Sequence, residues 1–286
     1  MVPVAVVSDT CAYLPAELVA AHDLHLVPLY VHRDGREDRE SDLTDYAEYY
    51  ESLRTATELP TTSQPSIGDF LTIWEPLLAT GREIVSVHLA AGLSGTYQSA
   101  LQARDHLDAE RSERVYVLDS ATACGGQGMT MLAACAAARS GADGAAVLAR
   151  AQAARAAMKM WFCIDTLEYL KRGGRVGAAQ AWLGSALRIK PILTVESEIT
   201  PIERVRTQGR AFERMVDYLR TRHDDGADAW VVQHIQAPEQ AERLVERGRE
   251  IFGSEPLFVS EVGPVIGTHV GPGLIGVGAL PASCLA

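Results

Sequence analysis

The sequence predicts an α/β protein of two domains, the first with a mainly parallel sheet and the second with a mixed sheet. Three observations carry this. Short apolar runs alternate with amphipathic stretches from the N-terminus onward. Each early run precedes a loop rich in Ser, Thr, Gly or Asp, and then a helical pattern. Near residue 158 the series begins again, which divides the chain into 1–158 and 159–286. A chain of 286 residues is long for one domain and ordinary for two.

Val2–Val7 is a short apolar run that reads as a buried parallel strand. Pro15 suits the first turn of the amphipathic stretch behind it. Leu24–Val31, Glu83–Leu89 and Arg114–Leu118 read as the next strands, and Gly126–Arg139 and Asp143–Lys159 as long helices. Met160–Ile164 opens the second series. Leu167–Lys171 is helical and stops at Gly173-Gly174, and Ala178–Leu187 is helical again. Ile189–Val195 and Ile199–Val205 form a strand pair across Glu196-Ser197-Glu198. Phe212, Met215, Val216 and Leu219 mark one helix face. Trp230–Ile235 is a strand, Pro238–Phe252 a helix and Leu257–Ser260 a strand. Gly263 to Leu280 is glycine-rich with alternating apolar residues.

Composition narrows the function. The chain carries 37 acidic and 26 basic side chains, a formal charge of −11, which argues against nucleic acid as the main partner. The opening MVPVAVVSDT lacks the parts of a secretory signal. The longest weakly polar stretch, Met129–Ala138, is too short for a membrane span, so no stable membrane insertion is expected. The 5 cysteines are scattered with no CxxC pair, which fits reduced thiols in the cytoplasm. Only 3 of the 26 basic residues are lysine, which together with abundant alanine points to a GC-rich bacterial genome.

Five segments can carry chemistry. Pro60-Thr61-Thr62-Ser63-Gln64-Pro65-Ser66 brackets hydroxyls and an amide with prolines, and Ser66 can cap a helix beginning near Ile67. It is either a rigid capped turn or a pocket wall of donors. Gly92-Leu93-Ser94-Gly95-Thr96 lies between a strand and the helix Tyr97–Leu107. Such a junction suits an anion, through unpaired N–H groups and the dipole, or simply an N-cap. Leu167–Arg175 ends in paired glycines and three basic groups, an exposed helix end or a partner contact. In Glu203–Thr207, alternation puts Arg204 and Arg206 on one strand face. In Val265–Gly273, His269 is either a structural histidine or a donor to a carboxylate.

Several enzyme classes fail. Ser8-Asp9-Thr10 opens like a phosphatase aspartate loop, but Cys11 stands where the second aspartate belongs. No GxSxG elbow, phosphate-binding glycine loop or metal-ligand cluster is present, and no cofactor is expected. Hydroxyls and glycines dominate the loops, an inventory that binds an anion better than it transforms one.

The ordered segments VVSDTCAYLP, TSQPS, LSGTYQSA, VLDSAT, LEYLKRGGRV, LRIKPILTV, RVRT and VIGTHVGPG resemble the DegV family of bacterial fatty-acid-binding proteins over nearly the whole chain. The resemblance implies an acyl chain in a tunnel between the two α/β domains. It also implies that the fatty acid is presented to a separate fatty acid kinase, whose acyl-phosphate product enters phospholipid synthesis. By position, Thr62 and Ser94 bind the carboxylate, with Ser63, Gly95 and Thr96 in the same loops and His269 nearby. Arg206 matches a position associated with the kinase, and Arg172 and Arg175 are further candidates. Where many members carry a serine-rich stretch before LSGT, this chain has His88-Leu89-Ala90-Ala91. A C16 chain offers about 14 methylenes and about 11 kcal/mol of gross transfer energy. An unpaired carboxylate in the same tunnel costs several kcal/mol, so hydroxyl, N–H and imidazole groups must meet it. Two other functions fit the same residues: a lipid hydrolase or acyltransferase with Ser94 as nucleophile and His269 as base, and a regulatory protein whose lipid is structural.

Overall fold

The computed structural model describes residues 3–183 and 189–286. The first half runs β1 (Val4–Asp9), α1 (Ala16–Ala21), β2 (His25–Val27), β3 (Tyr30–Arg33), β4 (Arg36–Arg39), α2 (Tyr46–Thr55), β5 (Thr61–Ser63), α3 (Ile67–Ala79), β6 (Glu83–His88), α4 (Thr96–His106), α5 (Ala109–Ser112), β7 (Val115–Asp119), α6 (Cys124–Arg139) and α7 (Gly144–Ala157). The second runs β8 (Lys159–Cys163), α8 (Glu168–Arg172), β9 (Lys190–Glu196), β10 (Glu198–Val205), α9 (Gln208–Asp224), β11 (Ala229–His234), α10 (Pro238–Phe252), β12 (Phe258–Glu261), α11 (Pro264–Val270) and β13 (Ile275–Leu280).

The first sheet has the order β2-β1-β6-β7, all parallel. Its strands are apolar on both faces because helices cover both. Ala5, Val7 and Ile84 pack on Phe70, Trp74 and Leu78 of α3. Val4, Val6 and Val85 face Met131 and Ala134 of α6 and Val147 of α7. The second sheet has the order β10-β9-β8-β13-β11-β12, and only β11–β12 is parallel. Helices α9 and α10 cover one face. The other face joins a core shared with the first half, where Met129, Leu132 and Leu89 lie among Met160, Phe162 and Val231. The fold is therefore the expected pairing of a parallel with a mixed sheet.

Local details depart from the sequence reading. The run Leu24–Val31 is two strands, not one: β2 joins the parallel sheet, while β3 pairs antiparallel with β4 and β5 in a separate three-stranded sheet. Pro28 between them has no N–H to continue a ladder. The β3–β4 hairpin turns on Asp34 and Gly35 at φ 51° and 72°, as a two-residue type I′ turn requires. The second long helix ends at Ala157, two residues short of Lys159, which opens β8. The glycine-rich stretch 263–280 holds a helix, α11, with Pro264 in its first turn. Of the helix expected at 178–187, the described part is a 3₁₀ turn at Gly177–Trp182; residues 184–187, like Val2, lie outside the described residues. Arg206 is not on a strand. β10 ends at Val205, and Arg206 stands in the bend before Thr207, whose hydroxyl caps α9 by accepting from Arg210 N at 3.2 Å. Ser66 does cap α3, in a reciprocal box with Asp69.

Helix α11 is clasped by the first half. Glu40, 2% exposed, accepts from Val265 N at 2.7 Å, Thr10 Oγ1 at 2.8 Å and Tyr13 OH at 2.8 Å. Tyr50 OH donates to Val262 O at 2.6 Å, and Tyr49 OH shares a 2.6 Å hydrogen bond with Thr268 Oγ1. Burial pushes the Glu40 carboxyl up to about 7, against the pull of its three hydrogen bonds. A carboxyl raised in the folded state contributes most stability below its unfolded value and loses it as pH rises through the folded value. Between pH 5 and 8 the wild type should therefore weaken relative to Glu40→Gln by about 2–3 kcal/mol. Urea unfolding of both proteins across that range checks this, and equal pH slopes would refute it.

Candidate functional site

A cavity of about 860 Å³, part of it open to solvent, lies between the second sheet and the loops of the first half. Its wall is mostly apolar, with Leu29, Leu89, Met160, Phe162, Val195 and Leu274 among the lining residues. Thr62, Ser63, Gln64, Ser94, Arg175 and His269 bring polar groups to it. A second, more polar recess, open to solvent, is lined by Arg172 and Thr268 and shares Thr62, Arg175 and His269 with the first. Those three residues stand between the apolar cavity and the outer recess.

Each polar group has a local reason for its place. Thr62 is the middle residue of β5, opposite Val31. Its Oγ1 lies 2.8 Å from Nε2 of His269 on α11. The other ring nitrogen, Nδ1, is buried without a partner. It faces Gly173, where a Cβ would fall 2.3 Å from it, so glycine is required there. Burial first, and then the nearby Arg175 cation, hold His269 down to about 4. The ring is neutral at physiological pH. Ser63 is engaged by His32 Nε2 at 2.8 Å.

Ser94 sits in a tight turn, with Leu93 N and Ser94 N both donating to Ala90 O. Its Oγ accepts from Thr96 N at 3.3 Å and lies 2.9 Å from Thr96 Oγ1. Gly95, not Ser94, holds the cap position of α4 and makes no side-chain cap. The first-turn N–H groups of α4 are thus left for the Ser94 hydroxyl or a ligand. A Cβ on Gly95 would meet the Gln64 amide at 3.1 Å, so the two polar loops touch. Arg175 donates to Leu93 O at 3.3 Å and Gly173 O at 2.6 Å, strapping the second half to the serine turn.

Beneath these loops lies a sealed polar network. Asp9 accepts from Leu89 N and Cys11 N, each at 3.0 Å, and from Gln127 Nε2 at 2.9 Å. His88 Nδ1 lies 3.0 Å from Asp9, and His88 Nε2 lies 2.7 Å from Ser86 Oγ. The order Ser86–His88–Asp9 imitates a hydrolase triad, but all three residues are 0% exposed, so no substrate reaches the hydroxyl. The network instead ties the ends of β1 and β6 together under the site. His88 of the His88-Leu89-Ala90-Ala91 stretch belongs to it, while Leu89 lines the cavity.

The sequence candidates divide in space. Thr62, Ser63, Ser94 and His269 line one cavity, with Gly95 and Thr96 directly beside them. Arg175, expected at a partner surface, is in the cavity wall. Arg172 lies on the outer recess and donates to Thr57 O at 3.2 Å. Arg206 is exposed, and its guanidinium has no hydrogen bond or ion pair among the described residues. Sequence reasoning counted the Gln64 amide in its segment without giving it a place among the carboxylate residues, and passed over Cys124, which lines the cavity at φ 53°. Burial pushes the Cys124 thiol up, so it stays protonated.

Comparison with known proteins agrees with this architecture. Residues 3–282 match the family model described as uncharacterised protein, DegV family. The chain is 38% identical over 280 residues to a DegV domain-containing protein of Streptomyces coelicolor, covering 96% of this chain and 97% of that protein. It is similar to a solved structure described as fatty acid binding of a DegV family protein from Thermus thermophilus, with TM-score 0.87, 32% identity, and coverage of 98% and 99%. It is equally similar to the structure of DegV, a fatty acid binding protein from Bacillus subtilis, with TM-score 0.87, 32% identity, and coverage of 98% and 100%.

The serine turn is fixed from the other half of the chain. Ser197, at φ 67° in the β9–β10 turn, donates to Ala121 O at 2.9 Å. A Cβ on Gly92 would fall 2.3 Å from Ser197 O. Both sides of that contact are backbone, so Gly92→Ala should cost about 1–3 kcal/mol. Gly209→Ala is the control, because nothing lies within 4 Å of a Cβ there. Thermal unfolding checks the pair: a lower melting temperature for Gly92→Ala alone is expected, and equal behaviour would refute the contact.

Proposed function

This chain belongs to the DegV family, and on that premise we propose that it binds one long-chain fatty acid, with its carboxylate at Thr62, Ser94, Arg175 and His269. One observation carries the reading: a mostly apolar cavity with a cation, three hydroxyls and a neutral imidazole in its wall. The hydrocarbon supplies the gross affinity, at about 0.8 kcal/mol for each buried methylene. Arg175 supplies the opposite charge that a buried carboxylate needs. The naming of the Thermus thermophilus and Bacillus subtilis proteins as fatty acid binding supports the same ligand.

The unpartnered Nδ1 of His269 favours the tautomer with its proton on Nε2, because a buried N–H without an acceptor is costlier than a bare lone pair. His269 then donates to Thr62 Oγ1, and the Thr62 hydroxyl proton is free for the carboxylate. The hydrolase alternative needs His269 against Ser94. Here His269 Nε2 is taken by Thr62, and the Ser94 hydroxyl by Thr96, which favours binding over turnover.

The outer recess beside the polar residues suits presentation of the carboxyl to a separate fatty acid kinase, since the sequence holds no phosphate-binding loop of its own. Arg206, exposed and unpaired among the described residues, is the docking residue of this reading, and Arg172 at the recess is a second contact. The domains divide near residue 158, at the entry to β8. No helix among the described residues is long and apolar enough to cross a membrane. The bacterial cytoplasm is the compartment of this reading.

Mass spectrometry of lipid extracted from the purified protein tests the central claim, with close to one long-chain fatty acid per chain expected. No lipid, together with no binding after delipidation, would end it. Thr62→Ala and Ser94→Ala should each weaken fatty-acid binding by about 1–3 kcal/mol. A methyl ester should bind less tightly and respond less to either change. Wild-type affinity in both variants would remove these residues from the site. Arg206→Ala should keep fatty-acid affinity but slow acyl-phosphate formation in a reconstituted kinase assay. Unchanged phosphorylation at limiting protein would make Arg206 an ordinary surface arginine.

A further inference from the structure

Strand β13 carries two glycines, Gly276 and Gly278, on one face of the second sheet, because strand side chains alternate. The residues between and beside them, Ile275, Val277 and Ala279, pack into the core under α9 and α10. The glycines thus face the first half, and their surroundings differ. Gly278 sits between Met160 and Val231 across the sheet. A Cβ on it would meet Met129 of α6 at 3.1 Å and Met160 at 3.2 Å, so protein already fills that place.

Gly276 sits between Phe162 and Gln233 across the sheet, and all three line the cavity. The three atoms nearest a Cβ on Gly276 all belong to its own sheet: Phe162 Cβ at 3.4 Å, Trp161 O at 3.6 Å and Gln233 O at 3.8 Å. These are ordinary contacts, and the φ of Gly276 is not in the left-handed region. Nothing in the backbone therefore demands glycine here. The row is also without polar groups free to meet a ligand. The Gln233 amide is consumed by Gly125 N, Ala12 O and Ser260 Oγ. What passes over Gly276 must be hydrocarbon.

We propose that Gly276 is the specificity-determining position of this cavity: it is the last residue on this face of β13 to line the cavity before Met129 closes the row at Gly278, so the place over it receives the methylenes far from the carboxylate, and a side chain there selects against long chains in favour of short ones. This rests on the fatty-acid reading above and adds to it which residue sets the chain length. Methylenes occupy over Gly276 the space that Met129 occupies over Gly278.

Delipidated wild type, Gly276→Ala and Gly276→Val are titrated with dodecanoate and octadecanoate, and melting temperatures are recorded. Gly276→Val should weaken octadecanoate by about tenfold or more, the scale of one or two methylenes in an apolar pocket, and dodecanoate by less than about threefold. Gly276→Ala should shift the ratio in the same direction by a smaller factor, and it decides the matter if the valine variant does not fold. Gly278→Ala should lower the melting temperature and leave the ratio unchanged. An unchanged ratio in the Gly276 variants, or equal loss for both acids, overturns the proposal while fatty-acid binding stands. If wild type binds neither acid, the fatty-acid reading itself fails and this proposal falls with it.

Discussion

The hydrogen bond between Thr62 and His269 joins residues 207 apart in sequence, and the cavity exists because both ends of that bond are held. Thr62 is held by the three-stranded sheet, where β5 lies on β3. His269 is held by α11, whose N-terminal N–H groups are anchored on Glu40 and Tyr13. Close packing then fixes the helix sideways. A Cβ on Gly267 would fall 2.1 Å from the Tyr50 hydroxyl, and one on Gly173 would strike the His269 ring. Sheet, clasp and glycines converge on one hydrogen bond, and the polar end of the cavity inherits their precision.

Charge is distributed with equal economy around it. Burial keeps His269 neutral, and Arg175 reinforces this, so the imidazole does not compete with Arg175 as a cation. Glu40 meets α11 at its N-terminal end, through Val265 N, while His269 lies in its last turn, so the carboxyl and the polar end of the cavity are kept apart. The sealed Asp9–His88 network fixes backbone at Leu89 and Cys11. It places the turn that carries Ser94 without touching the lumen. Polar groups that position the loops are thereby separated from those that face the cavity.

Much of the scaffold was legible because single elements encode it. The parallel strands showed as unbroken apolar runs, Pro238–Phe252 as a helix opened by proline, and Ser66 as a cap answered by Asp69. The resemblance of ordered segments brought Thr62, Ser94 and His269 together before any geometry did. What escaped depends on partners distant in sequence. Pro28 divides one apolar run between two sheets, and Asp34-Gly35 marks a hairpin whose third strand, β5, comes only after the whole of α2. Helix α11 is hidden in a glycine-rich stretch because those glycines answer Tyr50 and Tyr169 rather than helix propensity. Arg175 reads as part of a basic helix end, and only its hydrogen bond to Leu93 O turns it inward.

The clasp on α11 has a consequence for how the molecule comes into being. Glu40 and Val265 are 225 residues apart, and Tyr49 and Thr268 are 219 apart. The parallel sheet needs only residues 4–119 and can assemble while later segments are still being synthesised. Until residues 262–268 arrive, the Tyr49 and Tyr50 hydroxyls lack the partners they have in the finished fold. These tyrosines therefore wait for their partners until nearly all of the chain is made. The cavity wall is completed late in the sequence, by the segment that also brings His269.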